Sequence, residues 1–145
     1  MWQEIIYLLV FLGLLAECVV DVVEKKVWMP VILAEYAALF WLQYLLNQIN
    51  LGLLAASLGI GLFFFVISVI SHGQIGKGDA FLFGMTGAGL GLKDNIVLIY
   101  LTFLLAFIGA LFLLIIKKSG RKKEMPLTPY ILGAYLILSG MKMLQ

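Results

Sequence analysis

The sequence predicts an all-α membrane protein, a polytopic bundle of six transmembrane helices with the N-terminus and C-terminus both outside. Three observations carry this. Mean hydropathy is +1.10. Only 12% of residues are charged, where a soluble domain carries about 25%. Six apolar runs are separated by short connections whose basic residues fall on alternate sides.

A crossing needs about 20 mostly apolar residues, roughly 17 to 25. The first run, 4–23, is preceded only by Trp2, Gln3 and Glu4, with no basic stretch, so it reads as a retained span rather than a signal peptide. The others cover 29–46, 51–71, 79–92, 95–116 and 127–144. The connections at 24–28, 72–78 and 117–126 hold Lys25, Lys26, Lys77, Lys117, Lys118, Arg121, Lys122 and Lys123, whereas those at 47–50 and 93–94 hold only Lys93. Basic loops stay in the cytoplasm, which fixes the orientation. The fourth run is short and glycine-rich. Were it re-entrant, the cluster from Lys117 to Lys123 would lie outside, so the charge pattern predicts a full crossing. Its Gly84, Gly87, Ala88 and Gly91 supply small residues for close helix packing, and Phe63-Phe64-Phe65 reads as lipid-facing or core bulk. With no internal repeat or linker, 1–145 forms one domain.

A formal charge of +2 is too small to suggest nucleic acid. Cys18 and His72 are the only cysteine and histidine, so neither a disulfide framework nor a multi-ligand zinc site is expected. No metal or cofactor is predicted.

Ionisable groups inside spans are costly and point to function. Asp21 closes the first span and Asp79 opens the fourth, within Gly76-Lys77-Gly78-Asp79. The topology puts both at one depth on the cytoplasmic side, where the first and fourth helices can be neighbours. Two carboxyl groups in a poorly solvated site cannot both ionise and share a proton. The ionised member can then draw a proton from water while the protonated member hydrogen-bonds a scissile carbonyl, which is aspartyl-protease chemistry. Gly76 and Gly78 would let a peptide approach the backbone closely. The plainer alternative makes Asp79 a helix cap and Asp21 a partner of Lys25.

Around these residues the chain resembles the type IV prepilin peptidases, membrane aspartyl proteases that trim leader peptides from pilin-like precursors. Three segments carry the likeness. Asp21-Val-Val-Glu-Lys25-Lys26-Val27 is similar to the family's aspartate followed by basic residues, although Trp28-Met29 stands where Pro-Asn commonly follows, and Pro30 comes later. Gly76-Lys77-Gly78-Asp79 resembles the Gly-x-Gly-Asp motif, with Phe81 where a lysine is often found. Pro126-Leu-Thr-Pro129-Tyr130 is similar to Pro-Phe-Gly-Pro-Phe.

The resemblance implies a catalytic pair Asp21 and Asp79, cleavage on the cytoplasmic side of the inner membrane, and a substrate with a short basic leader, a glycine before the cut and a hydrophobic helix after it. The cysteine-rich insert that many members link to N-methylation is missing. That implies a peptidase-only form like those of tight-adherence pilus systems or the archaeal preflagellin peptidases, with no S-adenosylmethionine.

Glu17, Asp21 and Glu24 share one helix face, which should turn inward because a central acid facing lipid costs about 2.5 to 3.5 kcal/mol. Glu17, Glu24, Glu35, Lys77, Pro126 and Pro129 are candidate substrate-binding residues. Glu24 could equally pair with a lysine, Lys77 could snorkel to headgroups, and Glu17 and Glu35 could simply hydrogen-bond inside the bundle. His72 reads as interfacial. Two competing functions use the same acids: a proton- or cation-coupled small transporter, and a presenilin-like intramembrane protease. For the latter, Val20 stands where a tyrosine is expected and Pro126-Leu-Thr-Pro129 where a Pro-Ala-Leu motif is.

Overall fold

In the computed structural model, residues 2–24, 27–45, 51–71, 76–117 and 126–143 are described. They form six helices and no strand: α1 Trp2–Glu24, α2 Met29–Leu45, α3 Leu51–Ile70, α4 Lys77–Leu90, α5 Leu92–Lys117 and α6 Thr128–Met143. Three are long and apolar enough to cross a membrane, within Gln3–Glu24, Leu51–Ile70 and Leu92–Ile115. α2 is apolar but has 17 residues, α6 has 16 and α4 has 14. Several basic residues of the sequence argument, Lys25, Lys26, Lys118, Arg121, Lys122 and Lys123, lie outside the described residues, as does His72.

The short α4 is the hub. Ten of its 14 residues are buried, and it packs on α3 most extensively, then on α2, α5 and α1. Its small residues explain how so many neighbours reach it. A β-carbon on Gly61 of α3 would lie 3.3 Å from both the Ala80 carbonyl and Gly84 Cα, so this pair of glycines brings the two backbones together. Gly87 leaves room for Asn95, and Gly89 for Val10 of α1 and Leu39 of α2. Phe83, fully buried, meets Phe64 and Phe103, while Phe63 faces outward.

α4 and α5 are joined by Gly91 alone, at φ +88°, a torsion that a side chain would strain. The expected break at 93–94 is therefore displaced: Lys93 and Asp94 belong to the first turn of α5, where an acid suits the positive end of the helix. The chain folds back so sharply that Asn95 donates to the Phe83 carbonyl at 2.9 Å and accepts from the Thr86 hydroxyl at 2.7 Å. This buried amide is thus paired on both sides, as burial requires.

α2 and α6 start alike. Trp28-Met29-Pro30 and Leu127-Thr128-Pro129 each place proline second in the helix, where no N–H is needed. Both starts lie against the C-terminal part of α1, and at the start of α4 Gly78 packs against Val27, just ahead of α2. At the opposite end, the second turn of α1 and the first turn of α5 meet the last turn of α6 through Tyr7, Asp94 and Lys142.

Candidate active site

The site is built on one face of α1, where Gly13, Glu17 and Asp21 follow at four-residue intervals. Glu17 is fully buried and Asp21 is 6% exposed. Each receives a hydrogen bond from the start of another helix. The Trp28 N–H, just before α2, donates to Glu17 Oε2 at 3.1 Å, and the Thr128 N–H, first in α6, donates to Asp21 Oδ2 at 3.3 Å. Backbone N–H groups at helix starts have no intrahelical partner and carry partial positive charge, so carboxylates satisfy them well.

Asp79 lies in the first turn of α4. Its backbone N–H bonds the Gly76 carbonyl at 3.1 Å, and its carboxylate reaches back to the Gly76 N–H, the acid's half of a capping box, glycine having no side chain to supply the other half. A side chain on Gly76 would run into that carboxylate, and one on Gly78 into Val27. The two glycines thus hold space for the acid and for the α1–α2 connection. Asp79 is 9% exposed, and α1 packs beside α4. Asp79 lies within electrostatic range of Asp21. The first and fourth helices, which the topology allows to be neighbours, do pack together, with both acids at one end of the bundle.

The acidic face continues inward. Glu35 of α2 lodges its carboxyl group where Gly13 lacks a side chain and lies within electrostatic reach of Glu17. Both Glu35 oxygens and Glu17 Oε1 are buried without a hydrogen-bond partner. Four carboxyl groups therefore succeed one another from Glu35 through Glu17 and Asp21 to Asp79. Glu24, by contrast, is exposed at the last position of α1, so the inward-facing stripe ends at Asp21; Lys77 is exposed as well. Pro126 and Pro129 are half-buried and flank Thr128, whose N–H holds Asp21. Among the described residues no cation pairs with any of these four acids, and no group of three or more metal-ligating side chains is assembled.

Sequence reasoning did not find the Trp28 and Thr128 N–H donors or the contact of Gly13 with Glu35. The prolines at positions 30 and 129 did mark where the two helices start, and hence where orphan donors would be. No family model, curated protein or solved structure matches this chain.

Proposed function

We propose that the chain is a membrane aspartyl endopeptidase that removes short basic leaders from prepilin-like precursors, with Asp21 and Asp79 as its catalytic pair. The observation that supports this most is the placement of these two buried carboxyl groups at one end of the bundle and within electrostatic range, from the end of α1 and the start of α4, beside glycine-flanked backbone. In this reading all six helices cross the cytoplasmic membrane, both termini lie outside, and the acids sit on the cytoplasmic side where the precursor's leader would be.

The chemistry needs one proton on the pair. The ionised aspartate takes a proton from water as the water oxygen bonds to the scissile carbonyl carbon; the protonated aspartate gives its proton to the carbonyl oxygen. Collapse of the tetrahedral species breaks the C–N bond, with a proton delivered to the leaving nitrogen. The N–H of Thr128 and that of Gly76 fix the two carboxyl groups while this happens. Since activity requires one ionised and one protonated partner, the rate should be bell-shaped in pH.

The test is cleavage of a precursor bearing a basic leader and a glycine before its hydrophobic helix, by wild type and by Asp79→Asn and Asp21→Asn in liposomes. Cutting after the glycine by wild type alone supports the pair; cutting by both variants at wild-type rate would overturn it.

A transporter reading draws on one specific observation, the continuation of the acids to Glu35 with unpartnered oxygens. It predicts a proton or cation flux that Glu35→Gln abolishes, with no peptide cut by wild type.

A further inference from the structure

Each of the paired acids is held by one backbone N–H at a helix start, Asp21 by Thr128 of α6 and Asp79 by Gly76 just ahead of its own α4. Both positions carry the partial positive charge of a helix start. The two donors differ in a single group. Gly76 has no side chain, whereas Thr128 carries a hydroxyl that is fully buried and has no hydrogen-bond partner. A buried hydroxyl left unpaired is costly, so this one marks a hydrogen bond still to be made. Its oxygen is three bonds from the Thr128 nitrogen, hence within about 4 Å of it in every rotamer, and that nitrogen is 3.3 Å from Asp21 Oδ2. A turn about χ1, or one bridging water, carries its hydrogen bond to the Asp21 carboxylate.

The other groups around Asp21 do not favour its charge. Glu17 and Cys18 of α1 and Asp79 of α4 lie within its electrostatic range, and Glu35 of α2 reaches Glu17. Glu24 and Lys77 are exposed. α6 carries no charged residue before Lys142 at its far end, and its Tyr130 turns the hydroxyl to Gly109 of α5. The neighbouring acids and the negative end of α1 oppose a charge on Asp21, and among the described residues no cation pairs with it. Hydrogen-bond donors must therefore decide which acid is ionised, since a donor to the charged form favours that form.

We propose that Thr128 is a positioning residue that keeps Asp21 as the ionised member of the pair, supplying hydrogen bonds from both its N–H and its hydroxyl, and so leaves the shared proton on Asp79. The consequence for cleavage rests on the peptidase reading above. Asp21 takes the proton from water, and Asp79 gives its own to the scissile carbonyl oxygen.

The charge can be observed without any cleavage. Protein with isotope-labelled aspartate and threonine is placed in liposomes at neutral pH for solid-state NMR. The carboxyl carbon in contact with a threonine nitrogen is that of Asp21, and its chemical shift tells carboxylate from carboxylic acid. The carboxylate position is expected in wild type and in Thr128→Ser. Displacement toward the acid position is expected in Thr128→Val, which keeps the N–H and the shape but loses the hydroxyl. Asp21 at the acid position in wild type, or unmoved in Thr128→Val, would overturn the proposal. In the cleavage assay Thr128→Val should lower kcat about tenfold with KM unchanged, and Thr128→Ser should restore it. Equal kcat per folded enzyme in all three would leave the hydroxyl a structural role only and overturn the proposal. The expected Asp21 signals without cleavage by wild type would overturn the peptidase reading and keep the charge assignment; cleavage with Asp21 protonated would do the reverse.

Discussion

The two ends of the bundle treat charge in opposite ways. At one end Asp94 and Lys142 form an ion pair joined by the Tyr7 hydroxyl, tying the starts of α1 and α5 to the end of α6. The pair remains partly open, with the lysine side chain 42% and the aspartate 21% exposed. At the other end Asp21 and Asp79 are more deeply buried, and among the described residues their partners are backbone N–H groups rather than cations. An exposed pair contributes little, about 0 to 1 kcal/mol. Buried acids without counter-ions cost several kcal/mol each even after relaxation. Stability alone would favour the arrangement at the Lys142 end at both places, so the expensive one calls for a functional explanation.

The comparison can be broken most directly at Asp79. Asp79→Asn keeps an acceptor for the Gly76 N–H while removing the acid, so precursor cleavage should fall about a thousandfold with the thermal unfolding curve little changed. Loss of folding together with activity would mean that the acid serves chiefly as a cap.

Next in size is Gly78→Ala, whose new methyl runs into Val27. Overpacking of this kind costs about 1–3 kcal/mol and should lower the unfolding midpoint. Val27→Gly in the same chain, which also removes the β-carbon the new methyl meets first, should restore it, and Gly140→Ala at the Lys142 end, where a β-carbon meets nothing within 4 Å, should show no loss.

Glu35→Met should move stability the other way. It removes two unpartnered buried oxygens, worth about 1–3 kcal/mol on protein scales, and unfolding should shift upward while cleavage persists; loss of cleavage would place Glu35 in the chemistry. Smallest of all, Lys142→Met should lower stability by at most about 1 kcal/mol and leave kcat alone.

The helices were legible in the sequence because apolar runs of this length leave few choices. Every expected run corresponds to a helix, with ends within about 2 to 4 residues. Asp21 and Asp79 stood out because acids are rare in such runs. Which helices touch was harder to read. Apart from the acidic face of α1, exposed and core-facing positions are about equally apolar here, so the sequence carries little amphipathic pattern to assign neighbours. The Lys142, Asp94 and Tyr7 cluster joins residues 48 and 135 positions apart, beyond what spacing can reveal. The one-residue joint at Gly91 was hidden among the four glycines from Gly84 to Gly91, which serve packing as well as turning.

The shortness of α4 bears on the bilayer itself. Fourteen residues make a helix of about 21 Å, against a hydrocarbon thickness of about 30 Å. If its Gly91 end reaches one interface, Asp79, about 18 Å away along the helix, stops about 12 Å short of the other by these dimensions. Headgroups and water must then dip toward the aspartate, and a thinner bilayer makes that dip shallower and cheaper. Hydrolysis in vesicles of short-chain lipids should therefore outpace hydrolysis in long-chain ones, making membrane thickness a determinant of how readily water reaches the acids.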